Sequence, residues 1–315
     1  MFIQALEFCG RQARWILPLG LVGGFALPWA AGPLRQLIGL SIWLLLYLAV
    51  MRLSSSGALF TKVPSALQSD RLVPLVVRVL IAQLALPLLI FTLASVIGLP
   101  DNWRLAATLV AAAPPISGSV NLVLLLRGDG ALALRWLLAG TLFLPLSCIP
   151  VLMMAFTDQP FHGLLLPSIK LLLLITTATA AGVLCAQLAR RKNIALSIQA
   201  LDGASAITLA LMVIGLMSAL HAPDITVQDF LIALVAAILI NAGFQLLGAS
   251  TARALNHTSA RIVGTGVIYG NRNIALYLTA LPASFIEPLL LFIACYQIPM
   301  YLTPLLGDYF YRRLE

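Results

Sequence analysis

Ala113-Pro114-Pro115-Ile116-Ser117-Gly118-Ser119-Val120-Asn121 cuts through one long apolar run of the chain, and Tyr269-Gly270-Asn271-Arg272-Asn273 cuts through another. Pro114 and Pro115 bring no backbone N–H, so a helix entering from the N-terminal side must stop there. The second stretch sets two amides and an arginine among apolar neighbours. Working outward from these two stretches, apolar runs bounded by charges or by Pro, Gly and Asn fall at 15–31, 34–53, 72–97, 103–127, 131–155, 163–189, 196–220, 228–252, 258–281 and 285–309. A helix needs roughly 20 apolar residues to cross hydrocarbon, and these runs have about that length. The interrupted runs are the fourth and the ninth.

Composition points to the same solvent. Of 315 residues, 61% are hydrophobic and 10% are charged, against about 45–50% and about 25% in a soluble domain. The expected fold is therefore an all-α integral membrane protein of ten transmembrane helices, with the lipid bilayer as its partner. The net charge of +8 does not predict a nucleic-acid interface, because the basic residues form no stripe. They gather at the ends of the apolar runs. With the N-terminus inside, Arg11, Arg14, Arg52, Lys62, Arg71, Arg78, Arg127, Arg135, Arg190, Arg191, Lys192, Arg253, Arg261, Arg312 and Arg313 share one side, 15 of the 19 Lys and Arg. The others are Arg35, Arg104, Lys170 and Arg272. This bias predicts a multi-pass protein of the plasma (inner) membrane with both termini cytoplasmic. Cys9, Cys148, Cys185 and Cys295 are far apart and predict packing residues, with no disulfide or metal framework. His162, His221 and His257 sit at run ends, where an interfacial place is expected. The first run follows Arg11 and Arg14 as a signal peptide would, but a retained helix is expected, since losing it would break the symmetry described next.

Each interruption lies in the fourth run of its half, if the halves are 1–155 and 156–315. An odd number of helices per half inverts the second relative to the first. Inverted five-helix repeats with broken helices in matching positions are the layout of secondary transporters, and the breaks mark the substrate site. Backbone groups freed at a break find no partner in hydrocarbon and must meet protein, water, ion or solute. The candidate binding residues are Pro114, Pro115, Ser117, Ser119 and Asn121 from the fourth run and Gly270, Asn271, Arg272 and Asn273 from the ninth. The half-helices after the breaks are expected to offer positive dipole ends to an anionic group. An arginine at mid-depth costs roughly 2.5–3.5 kcal/mol, so Arg272 needs a partner or a task. Either it pairs with carbonyls freed by the fourth-run break, or it faces solute as a fixed cation. Asp202 is the one acid clearly inside a run, suited to proton coupling or to a salt bridge with a cytoplasmic-side arginine. Lys170 is expected to snorkel.

Several stretches together resemble the bile acid:sodium symporter family. They are Ala113 to Asp129 (APPISGSVNLVLLLRGD) continuing into Ala131-Leu132, Ala82-Gln83-Leu84 with Pro87, Asn241-Ala242-Gly243 with Gly248, and Gly270 to Leu276 (GNRNIAL). The resemblance covers most of the chain in order. It implies a core of helices three to five and eight to ten whose broken helices cross, and a panel of helices one, two, six and seven, with substrate between them. It adds Gln83 to the candidate site. It also implies sodium ligands, of which Gln83 and Ser119 match. The other positions fall on Val120 (with Asn121 one place late), Ala133, Leu137, Ile268 and Arg272, which remove most of the oxygen shell.

The expected function is a carrier of a small organic anion that does not use the usual sodium sites; the alternative is a sodium-coupled organic-acid symporter with rearranged ligands. No cofactor and no resident metal are expected. An enzyme is not expected, because the chain has no His-Glu-x-x-His, Gly-x-Ser-x-Gly or paired aspartates, and no base beside the breaks.

Overall fold

Long runs of Leu, Ile, Val and Ala surrounded by lipid satisfy their backbone groups by coiling into helices. In the computed structural model, which describes residues 2–55, 69–156, 161–194, 196–223 and 225–311, helices and short turns account for the fold, with no β-strand among the described residues. Lys62, Arg312, Arg313 and the side chains of Arg71 and His162 lie outside the described residues.

Among the described residues, seven helices are long and apolar enough to cross a membrane: Ile38–Ser55, Val73–Val96, Gly130–Ala155, Gly163–Arg191, Ile198–His221, Val227–Ala254 and Ser284–Gly307. Ala13–Ala26 and Pro28–Gln36, bent by 111° at Leu27, count as an eighth if taken together. The chain is thus all-helical and built like a multi-span membrane protein. The fourth run divides into Asp101–Ala112 and Ser119–Leu125, and the ninth into Ser259–Gly270 and Ala275–Leu278.

The first run departs from the straight 15–31 span expected of it. Pro28 has no N–H to return to the Gly24 carbonyl four residues back, and the chain turns there. His221 Nε2 lies 3.0 Å from that carbonyl oxygen, so this histidine has a defined structural partner. A further helix, Phe2–Arg11, precedes the run, and the Ser197 hydroxyl donates to Glu7 Oε1 at 2.6 Å.

The chain divides into two compact units, each drawing on both sequence halves. One comprises Met1–Ser69 and Leu173–Ile225. Its hub is the Ile198–Leu216 helix, against which Phe2–Arg11, Ala13–Ala26, Pro28–Gln36 and Ile38–Ser55 pack. Asp202 in this hub is the salt-bridge partner of Arg52, with Nε to Oδ1 at 2.6 Å. The other unit comprises Asp70–Leu172 and Thr226–Glu315. There Val227–Ala254 packs against Ser259–Gly270 and Leu290–Tyr311, and Gly130–Ala155 packs against Ser119–Leu125 and Ser259–Gly270. Both interrupted runs belong to this second unit. Lys170, also in it, is exposed, and all four cysteines are free.

Candidate functional site

The two breaks meet. The Ile116 N–H donates to the Asn271 carbonyl at 2.9 Å, and the Asn273 N–H donates to the Pro114 carbonyl at 2.7 Å. These bonds form an antiparallel bridge centred on Pro115 and Arg272. It is a two-bond scrap of β-pairing inside a helical unit, and it exists because both chains are extended there: Ala113 has φ −64° and ψ 146°. Pro114 and Pro115 forced that extension and ended the helix, so the carbonyls at its C-terminal end, that of the cap Ala113 included, lack intrahelical donors.

Arg272 takes one of them. Its Nη1 donates to the Ala113 carbonyl at 3.0 Å, and its Nε donates to the Tyr269 carbonyl at 2.8 Å. The guanidinium carbon lies 4.9 Å from the centre of the Tyr269 ring, a cation–π contact that strengthens as water is excluded. Arg272 is only 1% exposed. Among the described residues it forms no ion pair, and its Nη2 has no hydrogen-bond partner. Of the two roles the sequence left open, pairing with carbonyls freed by the fourth-run break is present in the structure.

The remaining ends of Ser259–Gly270 are also bonded. The Gly270 carbonyl accepts from Asn241 Nδ2 at 2.7 Å and from the Tyr296 hydroxyl at 2.6 Å. Asn271 donates from Nδ2 to the Val267 carbonyl at 2.9 Å and accepts at Oδ1 from the Thr303 hydroxyl at 3.2 Å. Gln245 extends the chain of bonds, donating to Asn241 Oδ1 at 2.7 Å and accepting from the Tyr311 hydroxyl at 3.0 Å. Gly270 has to be small: a Cβ there would overlap Gln245 Cγ and stand 2.8 Å from the Asn241 carbonyl oxygen.

Gln83 lies in a π-turn, Ile81–Ala85, where the Leu86 N–H reaches back five residues to the Ile81 carbonyl. Pro87 explains the turn, since it has no N–H to donate to the Gln83 carbonyl four residues back and its ring crowds that carbonyl. The Gln83 side chain donates to the Gly140 carbonyl at 2.8 Å and accepts from the Ser147 hydroxyl at 3.1 Å. A Cβ on Gly140 would stand 3.2 Å from Pro114 Cβ, 3.3 Å from Pro115 Cδ and 3.3 Å from Gln83 Nε2. Gly140 is therefore where Gln83 joins the fourth-run break.

So Gln83, Pro114, Pro115, Gly270, Asn271, Arg272 and Asn273 are brought together. Ser117 and Asn121 are half-buried on the far side of the fourth-run break. Ser119 is fully buried, and its hydroxyl has no hydrogen-bond partner among the described residues. The helices after the breaks have seven and four residues. That is too short to sum many peptide dipoles, so the anion seats expected at their N-termini are weak. Val120, Ala133, Leu137 and Ile268 are buried and apolar. Sequence reading did not single out Gly140, Ser147, Gln245, Tyr296 or Thr303. Asn241 and Gln245, one helical turn apart in an apolar run, were the available signal.

No protein-family model matches the chain, and no curated protein matches it.

Proposed function

We propose that this chain is a secondary carrier that moves a small organic anion across the plasma (inner) membrane. The observation that carries the reading is the meeting of two interrupted helices around a buried arginine with no carboxylate partner among the described residues. Interrupted helices are tolerated in hydrocarbon only where protein or solute meets the freed backbone, and carriers place their solute sites at such points. A fixed positive charge with one uncommitted donor, Nη2, selects for an anion. Counting the bent pair and the two interrupted pairs as one span each, beside the seven continuous helices, makes ten spans. That number favours inverted repeats 1–155 and 156–315 and a divergent relationship to the bile acid:sodium symporter family. We assign no catalytic residue.

The test is a screen of the purified protein against organic acids by thermal shift, followed by uptake into proteoliposomes of each acid that raises Tm. A ligand of the folded state present at a hundred times its Kd stabilises by about 2.7 kcal/mol, which is readable. If no acid across a range of sizes stabilises the protein or is taken up, the carrier reading falls. Orientation is checked with single cysteines: Ala222→Cys should label from outside and Lys192→Cys should not, as the charge bias requires.

A further inference from the structure

Asp101–Ala112 and Ser259–Gly270 both end at the crossing. A helix C-terminus leaves carbonyls without intrahelical partners and carries the negative end of the helix dipole. In carriers with interrupted helices, such C-terminal ends and unwound carbonyls are the groups that coordinate a coupling cation. At this crossing one carbonyl from each end is already bonded to a cation, the guanidinium of Arg272: Ala113 through Nη1 at 3.0 Å and Tyr269 through Nε at 2.8 Å. The Tyr269 ring covers it, and the side chain is 1% exposed. Val120, Ala133, Leu137 and Ile268, on the helices that form or flank the crossing, are buried and apolar, and Asn271 Oδ1 already accepts from the Thr303 hydroxyl at 3.2 Å.

We propose that Arg272 is a resident cation: the chain supplies from its own side chain the positive charge that joins the two helix ends, so the crossing needs no mobile metal cation. The structural half of this stands without the carrier reading; its consequence for transport rests on that reading. Without a co-transported cation, each negative charge on the solute moves against the membrane potential alone. A potential of 100 mV, negative inside, then drives a monoanion outward by about fifty-fold at equilibrium. With equal solute on the two sides and no proton moving with it, such a carrier runs outward.

The experiment is the Tm of the full-length protein in detergent, in sodium, potassium and choline chloride at one ionic strength. The unmodified protein should melt at one temperature in all three. Arg272→Ala should melt lower and recover part of the loss with millimolar guanidinium or sodium, but not with choline. Should Arg272→Ala fail to fold, Arg272→Lys keeps the charge without the planar fork, and its Tm should also be the same in sodium and choline. A saturable rise in Tm of the unmodified protein with sodium overturns the proposal. So does an Arg272→Ala variant that melts like the unmodified protein or that no cation restores. A failed organic-acid screen beside cation-independent melting and guanidinium rescue would sink the carrier reading and leave the resident cation standing.

Discussion

Arg52 and Arg272 are both packed among apolar helices, and the two are accommodated in opposite ways. Arg52, in the last turn of Ile38–Ser55, meets the carboxylate of Asp202 through Nε at 2.6 Å and Nη2 at 3.5 Å, with side chains 25% and 18% exposed. The pair is neutral, and water still reaches it. Arg272 is 1% exposed and, among the described residues, is held by two carbonyls and a ring. An acid at the crossing would fill its donors and cancel its charge. The chain thus pairs Arg52 with an acid and leaves Arg272 without one among the described residues.

The comparison breaks most directly at Arg272. Arg272→Ala leaves the Ala113 and Tyr269 carbonyls without these donors and opens a void. Each orphaned buried acceptor costs about 1–3 kcal/mol, and relief of a buried unpaired charge offsets part of that. The expected net loss is about 3 kcal/mol, read as a lower Tm or faster unfolding in detergent. A variant as stable as the parent would mean the guanidinium does not hold the crossing. Gly270→Ala comes next. Its Cβ would collide with Gln245 Cγ and the Asn241 carbonyl, and overpacking of this kind costs about 1–3 kcal/mol. Unchanged stability would mean that Gln245 swings aside without loss. Tyr296→Phe should lose about 1 kcal/mol, because the Gly270 carbonyl keeps its bond from Asn241. The double change with Asn241→Ala should lose more than the two single losses added.

The interruptions were legible because Pro114-Pro115 and Asn271-Arg272-Asn273 contradict their surroundings locally. The partner of Arg272 was not, because the Ala113 carbonyl is 159 positions away and only the crossing register chooses it over its neighbours. The bend at Pro28 was hidden for a related reason. Proline is common in membrane helices, and what lets the chain turn, the His221 contact with Gly24, spans 197 positions. Gln83 was reached through resemblance, while Ser147 and Gly140, which hold it, carry no sequence signal of their own. The dipole seats failed on length: the sequence shows where a helix restarts after a break, but not that it ends again within two turns.

The smallest expected effect belongs to Asp202, and it sharpens the contrast most. Asp202→Asn removes the charge and keeps the shape, so Arg52 retains a polar neighbour and access to water. Exposed and half-exposed pairs contribute about 0.2–1 kcal/mol, and the loss should fall in that range. A double-mutant cycle of Arg52→Gln with Asp202→Asn should give a coupling of the same size. That coupling should shrink as ionic strength rises and the Debye length falls from about 10 Å at 0.1 M to about 3 Å at 1 M. The Tm loss of Arg272→Ala should hardly respond to the same salt series when choline is the cation, because the side chain is 1% exposed and bonds carbonyls and a ring rather than an acid. If the Asp202 coupling instead exceeds about 3 kcal/mol and ignores salt, the pair behaves as a buried one. The distinction between a solvated ion pair and a sealed, unpaired arginine would then be lost.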